Sequence, residues 1–187
     1  MFASLLPRFA VWLGVPTVVW VCTATAHAAG LSQKQIQQLQ TLSELGQEAC
    51  ERGDYESCQR AFEQAQELLP WAPHRYYIAE ALVGRGRLVE GTAIWSQILK
   101  DNDPDDCHPS VCQAVRKARE RLNAVERQVP RLQFKLTRDY EDLIVRVGEL
   151  ELTGVQLKSE TRVNPGRYLL TATARGHEEH RASYEVG

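Results

Sequence analysis

Residues 42–70 read LSELGQEACERGDYESCQRAFEQAQELLP. Leu45 and Gly46 precede a Gly53-Asp54-Tyr55 turn; Cys58, Phe62 and Ala65 then recur on one helical side, and Pro70 ends the run. Upstream, Ile36, Leu39, Leu42 and Leu45 recur at three-residue steps, with Ser32 placed to cap. The opposite face carries Gln33, Gln35, Gln37, Gln38 and Gln40. Two helices, 31–50 and 55–69, are expected to close on each other over small residues. The pattern returns about 33 residues later. A helix around Tyr77-Ile78-Ala79-Glu80-Ala81-Leu82 meets the turn Gly86-Arg87-Leu88, and Gly91, Trp95 and Ile98 stand where Cys58, Phe62 and Ala65 stood.

In spacing and in a period close to about 34 residues, residues 31–100 resemble tetratricopeptide repeats. The second copy departs from the pattern, with Ile78-Ala79 in place of the Leu-Gly pair. The resemblance implies a short helical stack that binds rather than catalyses, because one such hairpin cannot bury its apolar face alone. It implies further that the first helix of each pair lines a concave surface. That surface would present Gln40, Ser43, Gln47, Tyr76, Glu80 and Val83. The Lys/Asn clamp that some family members use for C-terminal carboxylates is missing, so a ligand held by a free C-terminal carboxylate is not expected.

An acidic loop, DNDPDDCH, occupies residues 101–108. A helix over 109–128 follows, with Pro109 suited to its first position. Val111, Val115, Ala118, Leu122 and Val125 form its apolar side, while Arg116, Lys117, Arg119, Glu120 and Arg121 are mostly outward, a face that reads as solvated in preference to one that docks an anionic surface. It serves as a third first helix or as a cap on the stack. After Val129-Pro130 the period changes to two: Leu132, Phe134 and Leu136 alternate with polar residues. Further strands are expected at 143–147, around Leu150 and Leu152, at 167–174 and at 182–186, with turn signals at Asn164-Pro165-Gly166 and Arg175-Gly176-His177.

Val145-x-Val147-Gly148, Val163-x-Pro165-Gly166-x-Tyr168 and Ala174-Arg175-Gly176-His177 give residues 131–187 a resemblance to the PEGA-type surface β-domain. The namesake strand departs, carrying Arg146 and Glu149-Leu150. The resemblance implies a small all-β sandwich. The fold class expected is therefore α then β, multidomain: helical repeats plus capping helix over 31–128 and a β-domain over 131–187. The chain closes just after a strand, so an unpaired edge able to recruit a partner strand is also expected.

The start of the 187-residue chain reads as an export signal. Arg8 supplies a positive charge, residues 9–21 are mostly apolar, and Ala26-x-Ala28 offers small residues for cleavage, which places the signal at 1–28. Retention as an anchor is disfavoured by the short core and by Pro7 and Pro16. No later run is long enough to span a bilayer. A net charge of −2 with interspersed signs argues against nucleic-acid binding, which needs a basic face. Cys50, Cys58, Cys107 and Cys112 follow the signal. An even number in an exported chain points to disulfides, and four cysteines allow three connectivities. We favour the local pairs Cys50–Cys58, across the first hairpin, and Cys107–Cys112.

No enzyme motif is present: there is no G-x-S-x-G, no P-loop and no H-E-x-x-H. Asp101, Asp103 and Asp105 begin with EF-hand spacing, but the sixth and twelfth positions are Asp106 and Cys112, so a solvated loop is expected. Cys107, His108 and Cys112, with His177 and His180, lack the paired spacing of structural zinc. The resulting expectation is an exported, periplasmic or surface-exposed, non-enzymatic adaptor with no cofactor and no metal. Its partner is a protein or peptide of the cell envelope. The alternative is an envelope- or glycan-binding β-domain, using Tyr168 and His177, with the helices as spacer.

Overall fold

A computed structural model describes residues 30–187 apart from residue 139. The expected signal, 1–28, lies outside the described residues. Among the described residues five helices come first: α1 (Gln33–Glu51), α2 (Tyr55–Leu68), α3 (Ala72–Gly84), α4 (Leu88–Asp101) and α5 (Pro109–Val125). Six strands follow: β1 (Arg131–Leu132), β2 (Ile144–Val147), β3 (Leu150–Thr153), β4 (Thr161–Arg162), β5 (Gly166–Thr173) and β6 (His180–Val186). The α-then-β layout is as expected.

Ser32 opens α1 with a capping box: its hydroxyl accepts the Gln35 N–H while the Gln35 side chain accepts the Ser32 N–H. Asp54 caps α2 by accepting the Ser57 N–H at 3.1 Å. Between them Gly53 has a φ of 76°, a left-handed turn residue that lets α2 fold back on α1. Close approach follows from missing side chains. A Cβ on Gly46 would lie 2.6 Å from the Phe62 ring, and one on Gly91 would lie 2.9 Å from the Ala79 carbonyl oxygen. The Phe62 ring also stacks on Tyr77 with centroids 4.5 Å apart, joining the first hairpin to α3.

Each helix packs on its successor, and α3 packs against α1 and α5 as well. The first helices of successive hairpins therefore form one layer, α1–α3–α5. Two buried clusters fill the stack. Phe62, Cys58 and Leu82 anchor one; Trp95, Ile98 and Val115 anchor the other. Both expected disulfides are present. Cys50–Cys58 staples α1 to α2 with Cα atoms 5.1 Å apart, and Cys107–Cys112 ties the acidic loop to α5 at 5.6 Å.

The main sheet is antiparallel, in the order β3-β2-β5-β6, and a two-residue pair joins β1 to β4. Val147 pairs with Leu150 across a two-residue turn whose first residue, Gly148, has a φ of 60°. One sheet face is apolar, with Val145, Val147 and Leu152 buried against Leu157 from a short 3-10 turn (Gly154–Lys158). Phe134 packs onto this face. The strand expected through Leu136 stops at Leu132, because its ladder partner β4 is only two residues long. Beyond it, the segment lies over the sheet instead of extending a ladder.

Residues 31–187 make one compact unit. Arg162, on β4, reaches into the helices and donates to Thr92 Oγ1 and to Glu126, both at 2.8 Å. Asn164 donates to Glu90 Oε2 at 2.8 Å. Although partial burial opposes its ionisation, the hydrogen bonds from Asn164 and Arg87 hold the Glu90 carboxyl below its ordinary range.

Candidate functional site

The six residues expected on the concave face divide into two groups. On α1, Gln40 and Gln47 are exposed, and half-buried Ser43 donates its hydroxyl to the Leu39 carbonyl at 2.8 Å, within its own helix. Among the described residues, neither amide has a side-chain hydrogen-bond partner.

On α3 the arrangement differs. Tyr76 is only 8% exposed and packs into the core. Its hydroxyl donates to Glu80 Oε1 at 2.8 Å, and the same oxygen accepts from Arg121 Nε at 2.7 Å. Burial, reinforced by the bond to Glu80, pushes the Tyr76 phenol well above its ordinary range, so it stays a neutral donor. The hydrogen bond to Glu80 in turn raises the pKa of the Arg121 guanidinium. Val83 is half-buried and packs where Gly91 leaves room: a Cβ there would meet it at 2.6 Å.

Two residues read from sequence as solvated belong to this cluster. Lys117 Nζ lies 5.7 Å from the centroid of the Tyr76 ring, and the Arg121 guanidinium lies 5.7 Å from that of Trp95. Both are half-buried, whereas Arg116, Arg119 and Glu120 are exposed as expected. Their position next to Ala118 and Leu122 in the apolar stripe carried the signal, since long basic side chains bury their stems beside such a stripe. The structure thus joins Tyr76 and Glu80 to Lys117 and Arg121, and leaves Gln40 and Gln47 as a separate amide strip on α1.

The residues weighed for metal chemistry have other engagements. Asp101 accepts from Arg75 at 2.7 Å, Asp103 accepts the Asp105 N–H at 2.9 Å, and the sulfurs of Cys107 and Cys112 are joined to each other. Among the described residues, no group of three or more His, Cys, Asp or Glu side chains is placed to hold a metal ion. His177 sits edge-on to Tyr140, with centroids 5.4 Å apart, and Glu179 pairs with Arg181. An open groove of about 850 Å³ runs beside Tyr140, Val155 and Lys158 on the β-part, and among its described lining residues no nucleophile is hydrogen-bonded to a base.

No protein-family model, curated protein or solved structure matches the chain. Among the described residues no helix is long and apolar enough to cross a membrane. The two disulfides are the mark of an oxidising environment.

Proposed function

We propose that this chain is an exported, non-enzymatic adaptor that holds a protein or peptide segment against the α1–α3–α5 layer of a tetratricopeptide-like stack. The observation that carries the reading is the position of α3 between α1 and α5, with α2 and α4 packed as the second helices of their hairpins. This is the arrangement in which such stacks expose a continuous face of first helices. On that face Gln40 and Gln47 offer amide donors and acceptors, and Lys117 adds a positive charge, while the charge of Arg121 is balanced by Glu80. An extended segment carrying carboxylates and backbone amides suits this chemistry. The β-part, whose residues resemble the PEGA domain, braces the second hairpin. The disulfides support action outside the reducing cytosol, in the periplasm or at the cell surface.

The reading in which the β-part binds glycan and the helices act as spacer has less support. Tyr168 donates its hydroxyl to the Asn164 carbonyl at 2.8 Å, and the His177 ring is packed on Tyr140. A photo-cross-linker at Gln47, compared with one at exposed Glu63 on α2, tests the proposal in the native envelope. A discrete adduct at Gln47 that is absent at Glu63 and lost in Lys117→Ala is expected. Equal labelling at both sites, or none at Gln47, overturns the proposal.

A further inference from the structure

Strand β6 is an edge. Among the described residues it pairs only with β5, and no backbone hydrogen bond leaves its other side. Such an edge presents a row of free N–H and C=O groups to any strand that fits. What fits is decided by its sequence, His180-Arg181-Ala182-Ser183-Tyr184-Glu185-Val186.

The register with β5 sets the faces. Ala182 lies opposite Leu170 and Tyr184 opposite Tyr168, so both belong to the apolar face. Arg181, Ser183 and Glu185 alternate onto the other face. Tyr184 is 52% exposed there, a large side chain at the open rim of that apolar face.

Antiparallel pairing of β6 with a second β6 has few registers that keep apolar side chains together, since a one-residue slip turns one strand over. Centring on Arg181 or on Glu185 sets like charges opposite each other. Centring on Ala182 or Tyr184 shortens the ladder and leaves the charges facing Ser183. Centring on Ser183 uses the whole strand. It places Arg181 of each chain opposite Glu185 of the other, twice, and Ala182 opposite Tyr184. The two Tyr184 rings then become diagonal neighbours on the apolar face, in line with the two Tyr168 rings.

We propose that β6 is a homodimerisation strand: two chains pair edge to edge about a two-fold axis through Ser183, and their four-stranded sheets become one. The occupant is a second copy because the strand's charges are complementary to themselves in the one face-preserving register that engages all of it. The α1–α3–α5 face plays no part in this contact, so the two proposals stand or fall separately.

Sedimentation over a concentration series, using the full chain purified with its disulfides formed, tests this. A dimer is expected. Arg181→Glu and Glu185→Arg each raise its dissociation constant by about tenfold or more, because both symmetric contacts turn repulsive. Arg167 lies opposite Glu185 within the sheet, so the charge-swapped variant combines R167E, R181E and E185R, and it restores the dimer. Glu179→Gln, which removes the Arg181 partner within the chain, leaves the dimer intact. Ser183→Cys forms a disulfide between chains far faster than Thr137→Cys, an exposed control. A monomer throughout, a dimer indifferent to both reversals, or equal cross-linking at residues 183 and 137 overturns the proposal.

Discussion

Asn164 caps helix α4 from 75 positions further along the chain: its Oδ1 accepts the Val89 N–H at 2.8 Å. Asp54 does this work within the first hairpin, but the equivalent residue in the second is Arg87, which has no acceptor and makes no cap. The β-part supplies what the repeat lacks. Asn164→Ala is expected to cost about 1 kcal/mol, the usual worth of a cap. Urea unfolding checks this, with Asp54→Ala as the matched loss on α2. An unchanged midpoint for Asn164→Ala would deny the cap any energetic role.

Glu80 holds two donors at once. Glu80→Ala strands the Tyr76 hydroxyl in the core and frees Arg121 from α3, so a loss of about 1–3 kcal/mol is expected. A double-mutant cycle with Arg121→Met measures the α3–α5 share. Additive losses would show that the two residues do not cooperate.

In an exposed helix, replacing Gly by Ala stabilises by up to about 1 kcal/mol. At Gly46 and Gly91 the sign is reversed. The new methyl would meet the Phe62 ring at one site, and the Ala79 carbonyl and Val83 at the other. A loss of about 1–3 kcal/mol is expected at each, with Gly91 the more severe because backbone yields less than a ring. Thermal unfolding of the two variants decides it.

His74 is buried, and its Nδ1 lies 3.1 Å from the Leu69 carbonyl, a contact that the neutral ring makes by donating. Burial lowers its pKa below the ordinary 6.5, against the opposing pull of that carbonyl. The unfolded chain therefore takes up the proton first. The contribution of His74 is intact above about pH 6.5 and is lost as pH falls from there through the folded value. Stability measured against pH should show a decline in that window that is absent in His74→Phe.

Reducing both disulfides removes two short cross-links. The Cys50–Cys58 loop spans 8 positions, for which chain entropy predicts about 2–3 kcal/mol. Comparing the unfolding midpoints of the oxidised chain and of Cys50→Ser/Cys58→Ala measures that bridge alone.

The helical hairpins were legible because their signals are local. Gly53 turns the chain, Asp54 caps α2, and Pro70 follows its end. The alternation at Leu132, Phe134 and Leu136 was equally clear, yet only Leu132 joins a ladder, since strand formation depends on a partner that the local pattern does not contain. The same limit hid the Asn164 cap. Sequence shows that Arg87 cannot cap, but not which distant residue replaces it. The partners of Lys117 and Arg121 are hidden for a different reason: both residues border the apolar stripe of α5, and whether a bordering cation meets only water or also a neighbouring helix is settled by the turn that α3 presents to it.

Both disulfides close over very short stretches, 8 and 5 positions, and neither joins the stack to the sheet. A chain threading outward in order would bring each cysteine together with its own mate before the next pair emerged. The short loops favour those pairings over the longer ones. Under the export proposed above, correct oxidation requires an electron acceptor but no later reshuffling, and the two bridges can be complete before β6 emerges.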